Sequence, residues 1–140
     1  MSEPITVTVE ETGEGLYTQH ITASGHTLSA SEPAEAGGSG EDPNPYDLLL
    51  SALGACTSIT LRMYANKKQW NVQRIAVKLT HKKEPNGAGE NTDIITREIT
   101  LEGKLDDDQR VRLLEIANKC PVHRTLTDEP RPVVTTRLAD

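Results

Sequence analysis

Phenylalanine is absent from this chain, and one Trp and three Tyr bring the aromatic share of its 140 residues to only 3%. With 35% hydrophobic residues in all, the apolar stock is thin for a monomer that must fill its own core, and sharing a core between two copies would make up the shortfall. No uninterrupted run of about 18 apolar residues occurs, which speaks against a membrane-crossing helix. The opening Met1-Ser2-Glu3-Pro4-Ile5-Thr6 lacks the basic and apolar regions of a secretory signal, so a cytoplasmic location is expected. Residues 1–61 contain no Lys or Arg, and the net charge is -6, which argues against a nucleic-acid surface. There are only two cysteines, Cys56 and Cys120. In a reducing compartment such a pair reads as free or redox-active thiols rather than as a structural staple.

The length fits a single domain over residues 1–140. Residues 1–43 read as N-terminal strands and a loop. Ile5, Val7 and Val9 alternate with Thr6 and Thr8, turns fall at Glu11–Gly15 and Ala23–Gly25, and His26–Ala30 is a third strand. The Gly, Pro and acid-rich stretch 32–43 has no periodicity and reads as a mobile loop. Asn44-Pro45-Tyr46-Asp47 then opens a helix over 44–69, with Asn as cap, Pro at the first helical position and an acid able to reach back to the cap. Its apolar residues run nearly all round through Cys56, the pattern of a helix buried on several sides. A hairpin follows over 72–103, with Ile75, Val77, Leu79 and His81 on one face. A second helix over 106–120 is capped by Asp106 and Gln109, and a closing strand spans 132–138. The order βββ-α-ββ-α-β predicts an α+β fold of antiparallel sheet packed on helices.

On the long helix Cys56 shares a face with Leu49, Ala52, Leu53, Ile59, Thr60 and Met63, so on composition alone it is a small buried hydrophobe. Gly54, which costs a helix about 1 kcal/mol relative to Ala, marks a close approach by another backbone or a ligand. Cys120 lies in Asn118-Lys119-Cys120-Pro121-Val122-His123-Arg124. If Pro121 begins a short helix, Cys120 caps it, and free backbone N–H groups lower its pKa. Both thiols face inward on this reading, which permits a redox pair without requiring one. Cys120 and His123 with Cys56 also make a weak zinc pattern. His26 and Arg97 alternate with apolar neighbours on their strands, and a buried Arg97 needs an anion, for which a carboxylate is the ordinary partner.

Asn44-Pro-Tyr-Asp-Leu-Leu-Leu-Ser-Ala-Leu-Gly-Ala-Cys-Thr57 together with Cys120-Pro-Val-His123 resembles the OsmC/Ohr family, the osmotically induced and organic hydroperoxide resistance proteins. The resemblance implies an OsmC-like α+β fold with antiparallel sheets on two long central helices in an intertwined homodimer. It implies thiol peroxidase activity on organic hydroperoxides in oxidative-stress defence. Cys56 falls at the peroxidatic position and Cys120 at the resolving one. No bound cofactor or metal is implied, and an external dithiol or dithiol protein, of the lipoyl type, would return the reduced state. Tyr46 stands where the family's peroxidases carry a Glu, and the N-terminal strands lack their Arg. Substitutes as thiolate or peroxide partners are then His26, His123, Arg124 and Arg97. A non-catalytic redox switch or a binder of a small apolar ligand, on the same fold, is the alternative.

Overall fold

The computed structural model describes residues 3–139, and the chain divides into two compact units, Met1–Leu49 and Leu50–Asp140. In the first, β1 (Val7–Glu11), β2 (Gln19–Ala23) and β3 (His26–Ala30) form an antiparallel meander in that order. Ala23 pairs with His26, so Ser24 and Gly25 form a two-residue turn, and both have positive φ, 50° and 80°, as a tight hairpin between right-twisted strands requires. Ile21 and Ala30 are buried, whereas Val7 and Val9 on β1 are exposed. The stretch 32–43, expected to be a mobile loop, is closed at its neck: Ser31 N–H donates to the Pro43 carbonyl and Ser39 N–H to Ser31 Oγ.

Helix α1 (Pro45–Lys68) starts where its cap chemistry dictates. Asp47 N–H donates to Asn44 Oδ1 at 2.8 Å and Asn44 N–H to Asp47 Oδ2 at 2.9 Å, a reciprocal box that satisfies two otherwise orphaned donors. By length and composition α1 could cross a bilayer, but only 28% of its most apolar window is buried in this chain. Burial follows one side, Leu53, Gly54, Thr57, Leu61 and Ala65. Ile59 and Met63 on the other side are 55% and 68% exposed, so the expected burial on several sides is one-sided within the single chain.

In the second unit β4 (Asn71–Pro85) and β5 (Asn91–Lys104) form a long antiparallel hairpin, followed by α2 (Asp107–Ala117) and α3 (Pro121–Thr127). A bulge at Val72–Arg74 lies against Gly103, whose φ of 143° and closeness to the Asn71 carbonyl admit no Cβ. The hairpin has one inward face, on which Ile75, Val77, Leu79 and His81 of β4 and Ile95, Arg97, Ile99 and Leu101 of β5 are half-buried. Leu61, Ala65, Val72, Leu113, Ile116 and Ala117 form the core, with Ile75, Ile99 and Leu101 packed against it. The close approach at Gly54 is by a side chain and not by the backbone or ligand expected: a Cβ there would sit 2.7 Å from Leu79 Cδ1.

Two differences from the sequence reading stand out in the C-terminal part. The second helix ends at Ala117, and after a short turn Cys120 begins a separate helix rather than closing the first. The strand expected at 132–138 is not formed; a strand exists only by pairing, and among the described residues β4–β5 remains a two-stranded sheet with no third member. Val133, Val134 and Leu138 are consequently about as exposed as side chains can be.

Candidate active site

Cys120 is the N-cap of α3. Its extended backbone (φ −62°, ψ 133°) and Pro121 at the first helical position turn the thiol back over the helix start, where Sγ accepts from His123 N–H at 3.3 Å. Its relative exposure is 0%. Thr57, also fully buried, lies beside it, with Oγ1 3.8 Å from Sγ. The single hydroxyl proton of Thr57 serves two acceptors, the Leu53 carbonyl at 2.7 Å and the Cys120 sulfur. Cys56, one residue before Thr57 on α1, is half-buried and free of any disulfide, and its thiol is near enough to Cys120 to help lower that thiol's pKa.

Arg97 organises the surroundings. From the middle of β5, Nη1 donates to Thr57 Oγ1 and to the Ala117 carbonyl, both at 3.0 Å, while Nη2 donates to Asn118 Oδ1 at 2.8 Å and His123 Nδ1 at 3.0 Å. One guanidinium therefore joins α1, the end of α2 and α3. A guanidinium only donates, so His123 Nδ1 accepts and the ring proton sits on Nε2. The carboxylate expected opposite Arg97 is not there: all four partners are neutral, and among the described residues no acid lies within ion-pairing distance. Two of those partners, Thr57 and His123, are also the residues that hydrogen-bond the Cys120 sulfur, and the Arg97 charge helps to lower the pKa of that thiol.

The electrostatics agree with that arrangement. Burial pushes the Cys120 thiol up, but the His123 N–H, the Cys56 and Thr57 hydrogen bonds and the Arg97 charge outweigh it, and the net pKa lies below the ordinary thiol value. His123 is held below the ordinary imidazole value by burial and by the Arg97 charge, against a small opposing pull from Asp128. A cation against Nδ1 also makes His123 a poor metal ligand, and among the described residues no three His, Cys, Asp or Glu side chains gather around a common point.

Of the residues singled out from sequence, the fold brings together Cys56, Cys120, Arg97 and His123. Arg124 turns away to pair with Asp128 at 3.2 Å, and His26 is exposed on β3 of the N-terminal unit. Leu53, expected to line the Cys56 side of α1, is 3% exposed in the core, whereas Met63 is open. Thr57 and Asn118 were not anticipated. Thr57 had one legible signal, a hydroxyl on the same helix side as Leu53 and Leu61; Asn118 had none, because its part depends on an arginine 21 residues away. A cavity of about 310 Å³ between β5 and α2 is lined by Arg97, Asn118, Ile95, Ile99 and Leu114, and neither cysteine reaches it.

A model of the OsmC-like protein family matches residues 38–136. No curated protein matches the chain. Among solved structures, an OsmC-like protein from Mycoplasma pneumoniae is 16% identical with a TM-score of 0.75, over 92% of this chain and 91% of that one. An organic hydroperoxide resistance protein from Elizabethkingia anophelis is 16% identical with a TM-score of 0.70, over 92% and 91%. The organic hydroperoxide resistance protein OsmC from Legionella pneumophila is 17% identical with a TM-score of 0.69, over 90% of each chain. At such identities the structural likeness carries the fold, an α+β arrangement of antiparallel sheets and helices. With the family match running from the loop before α1 to beyond α3, the chain belongs to the OsmC-like protein family.

Proposed function

We propose that this protein is a thiol-dependent hydroperoxide reductase working through a Cys56/Cys120 dithiol–disulfide cycle. The observation that carries the reading is the pairing itself: a half-buried thiol beside a second, fully buried one whose sulfur accepts from the His123 N–H, with Arg97 holding His123 and Thr57 around it. Cys56, the accessible sulfur, attacks the distal oxygen of an organic hydroperoxide. The O–O bond breaks, the alcohol leaves, and Cys56 becomes a sulfenic acid. The Cys120 thiolate then attacks that sulfur and water departs, leaving a disulfide that an external dithiol, of the lipoyl type, reduces. No cofactor needs to be bound. That the similar structures from Legionella pneumophila and Elizabethkingia anophelis are organic hydroperoxide resistance proteins supports the substrate class. The uncovered apolar side of α1 supports a homodimer, and a cytosolic place in oxidative-stress defence fits the sequence.

The test is peroxide consumption. Reduced wild type is expected to turn over cumene hydroperoxide with dihydrolipoamide, and Cys56→Ser to lose turnover; equal, slow consumption by both would sink the enzymatic reading. One observation favours a non-catalytic reading, a redox switch or a binder of a small apolar ligand. All four terminal N–H groups of Arg97 are committed to the protein, which leaves fewer donors for a peroxide, and a cavity of mixed polar and apolar lining opens beside it. A single round of oxidation to the disulfide without repeated turnover would mark the switch.

A further inference from the structure

The two sulfurs are not equivalent partners in the disulfide, because everything that stabilises negative charge in this region converges on one of them. Cys120 receives the His123 N–H at 3.3 Å and shares the Thr57 hydroxyl, and both of these residues are held by the Arg97 guanidinium, which among the described residues has no carboxylate within ion-pairing distance. It is also wholly shielded, at 0% exposure, while Cys56 is half-buried. Thiol–disulfide exchange runs fastest when the attacked sulfur is reachable and the departing one leaves as a stable thiolate.

We infer that reduction of this protein is directional: the reducing dithiol attacks Cys56 Sγ, the mixed disulfide forms on Cys56, and Cys120 is the leaving group, positioned by Arg97. The inference rests on the dithiol cycle proposed above. One thiolate of the reductant bonds to Cys56 as the Cys56–Cys120 bond breaks, and the electron pair passes to Cys120 Sγ, where the α3 start and Arg97 hold it. The second thiolate of the reductant then attacks its own sulfur joined to Cys56, closes the reductant's internal disulfide, and releases Cys56 as thiolate. Two thiolates attack and two are released, so sulfur oxidation states and charges balance. Arg97 acts through Thr57, His123 and the end of α2, without touching the reductant. Its position therefore sets how easily Cys120 leaves, and not which sulfur is within reach.

The attack site is open to direct mapping. Full-length protein is oxidised with diamide, which needs no peroxide turnover, then mixed with glutathione as a trapping monothiol. The mixture is quenched in acid within the reaction, the remaining thiols are blocked with N-ethylmaleimide, and the peptides are mapped by mass spectrometry. The expected result is glutathione on the Cys56 peptide and N-ethylmaleimide on the Cys120 peptide. Glutathione on Cys120, or in equal amounts on both, overturns the direction while leaving the peroxidase reading intact; failure of diamide to join the two cysteines overturns both. The positioning role is read separately. In reduced protein the pH midpoint for alkylation of Cys120 should move upward in Arg97→Met and by less in Arg97→Lys, which keeps the charge and loses the fork. A midpoint unchanged in Arg97→Lys and in a folded Arg97→Met rules that role out, and the wild-type map decides the direction without either variant.

Discussion

Arg97 directs its terminal N–H groups to Thr57, Ala117, Asn118 and His123, so removing the guanidinium takes a donor from acceptors on two buried residues, Thr57 and Ala117. Leaving one buried group unpaired costs about 1–3 kcal/mol, and Arg97→Met is expected to lose at least that in urea unfolding. The same change should free His123. Its imidazole is held low by burial first and by the Arg97 charge second, so its ring signals in NMR should titrate below 6.5 in the wild type and closer to it in Arg97→Met. The sign for stability follows: the folded value is depressed, so the contribution of neutral His123 is complete above 6.5 and is lost as pH falls through the folded value. Cys120 obeys the same sign in a higher window. Its folded pKa is depressed, so its contribution is complete above 9.0 and declines as pH falls from there, and the stability gap between wild type and Cys120→Ser should widen as pH is raised towards that value. Both cysteines were legible as candidates in the sequence because thiols are scarce and each sits beside a conformational marker, Gly54 or Pro121. The network around them was not, since Thr57 and Asn118 acquire meaning only through an arginine 40 and 21 residues away.

At the level of elements, chemistry written into a few consecutive residues read through well. Asn44-Pro45-Tyr46-Asp47 and Asp106 with Gln109 are local devices, and α1 and α2 begin where they place them. The hairpin faces were equally plain, because alternation is local too. What failed at 132–138 depends on a partner edge that no stretch of sequence names. The packing of α1 on β4 offers a test of how tightly two well-read elements meet. Gly54→Ala trades about 1 kcal/mol of helix propensity against displacing the end of the Leu79 side chain, which is free to give, so near-neutral stability is expected. Gly54→Val adds a branched side chain that Leu79 cannot clear without lifting the helix, and a loss of about 1–3 kcal/mol in urea unfolding is the expected outcome. If Val proves as mild as Ala, the helix is not seated on the hairpin at that point. Pairing Gly54→Val with Leu79→Ala should recover part of the loss through their shared contact.

For the molecule as a whole, the shortage of apolar residues and the exposure of those it has meet on α1. At 100° per residue, Ala52, Ile59 and Met63 form one stripe roughly opposite the side that packs with Leu61 and Ala65, and Cys56 falls at the edge of that stripe. A helix apolar on both sides, with one side covered by its own chain, calls for a second body on the other. The thin hydrophobic content found in the sequence points to the same need, and the proposed homodimer would meet it with identical chemistry by a two-fold contact. Wild-type protein is therefore expected to sediment at about twice 15.3 kDa, and Met63→Glu, which places a charge in the middle of the stripe, to shift it toward the monomer without changing the core cluster around Leu61. Because Cys56 borders that stripe, dissociation should also change how fast Cys56 is alkylated while leaving Cys120 slow. Sedimentation as a 15.3 kDa particle at all concentrations would remove the dimer, and an unaltered Cys56 rate in a dissociated Met63→Glu would separate the thiol from the interface.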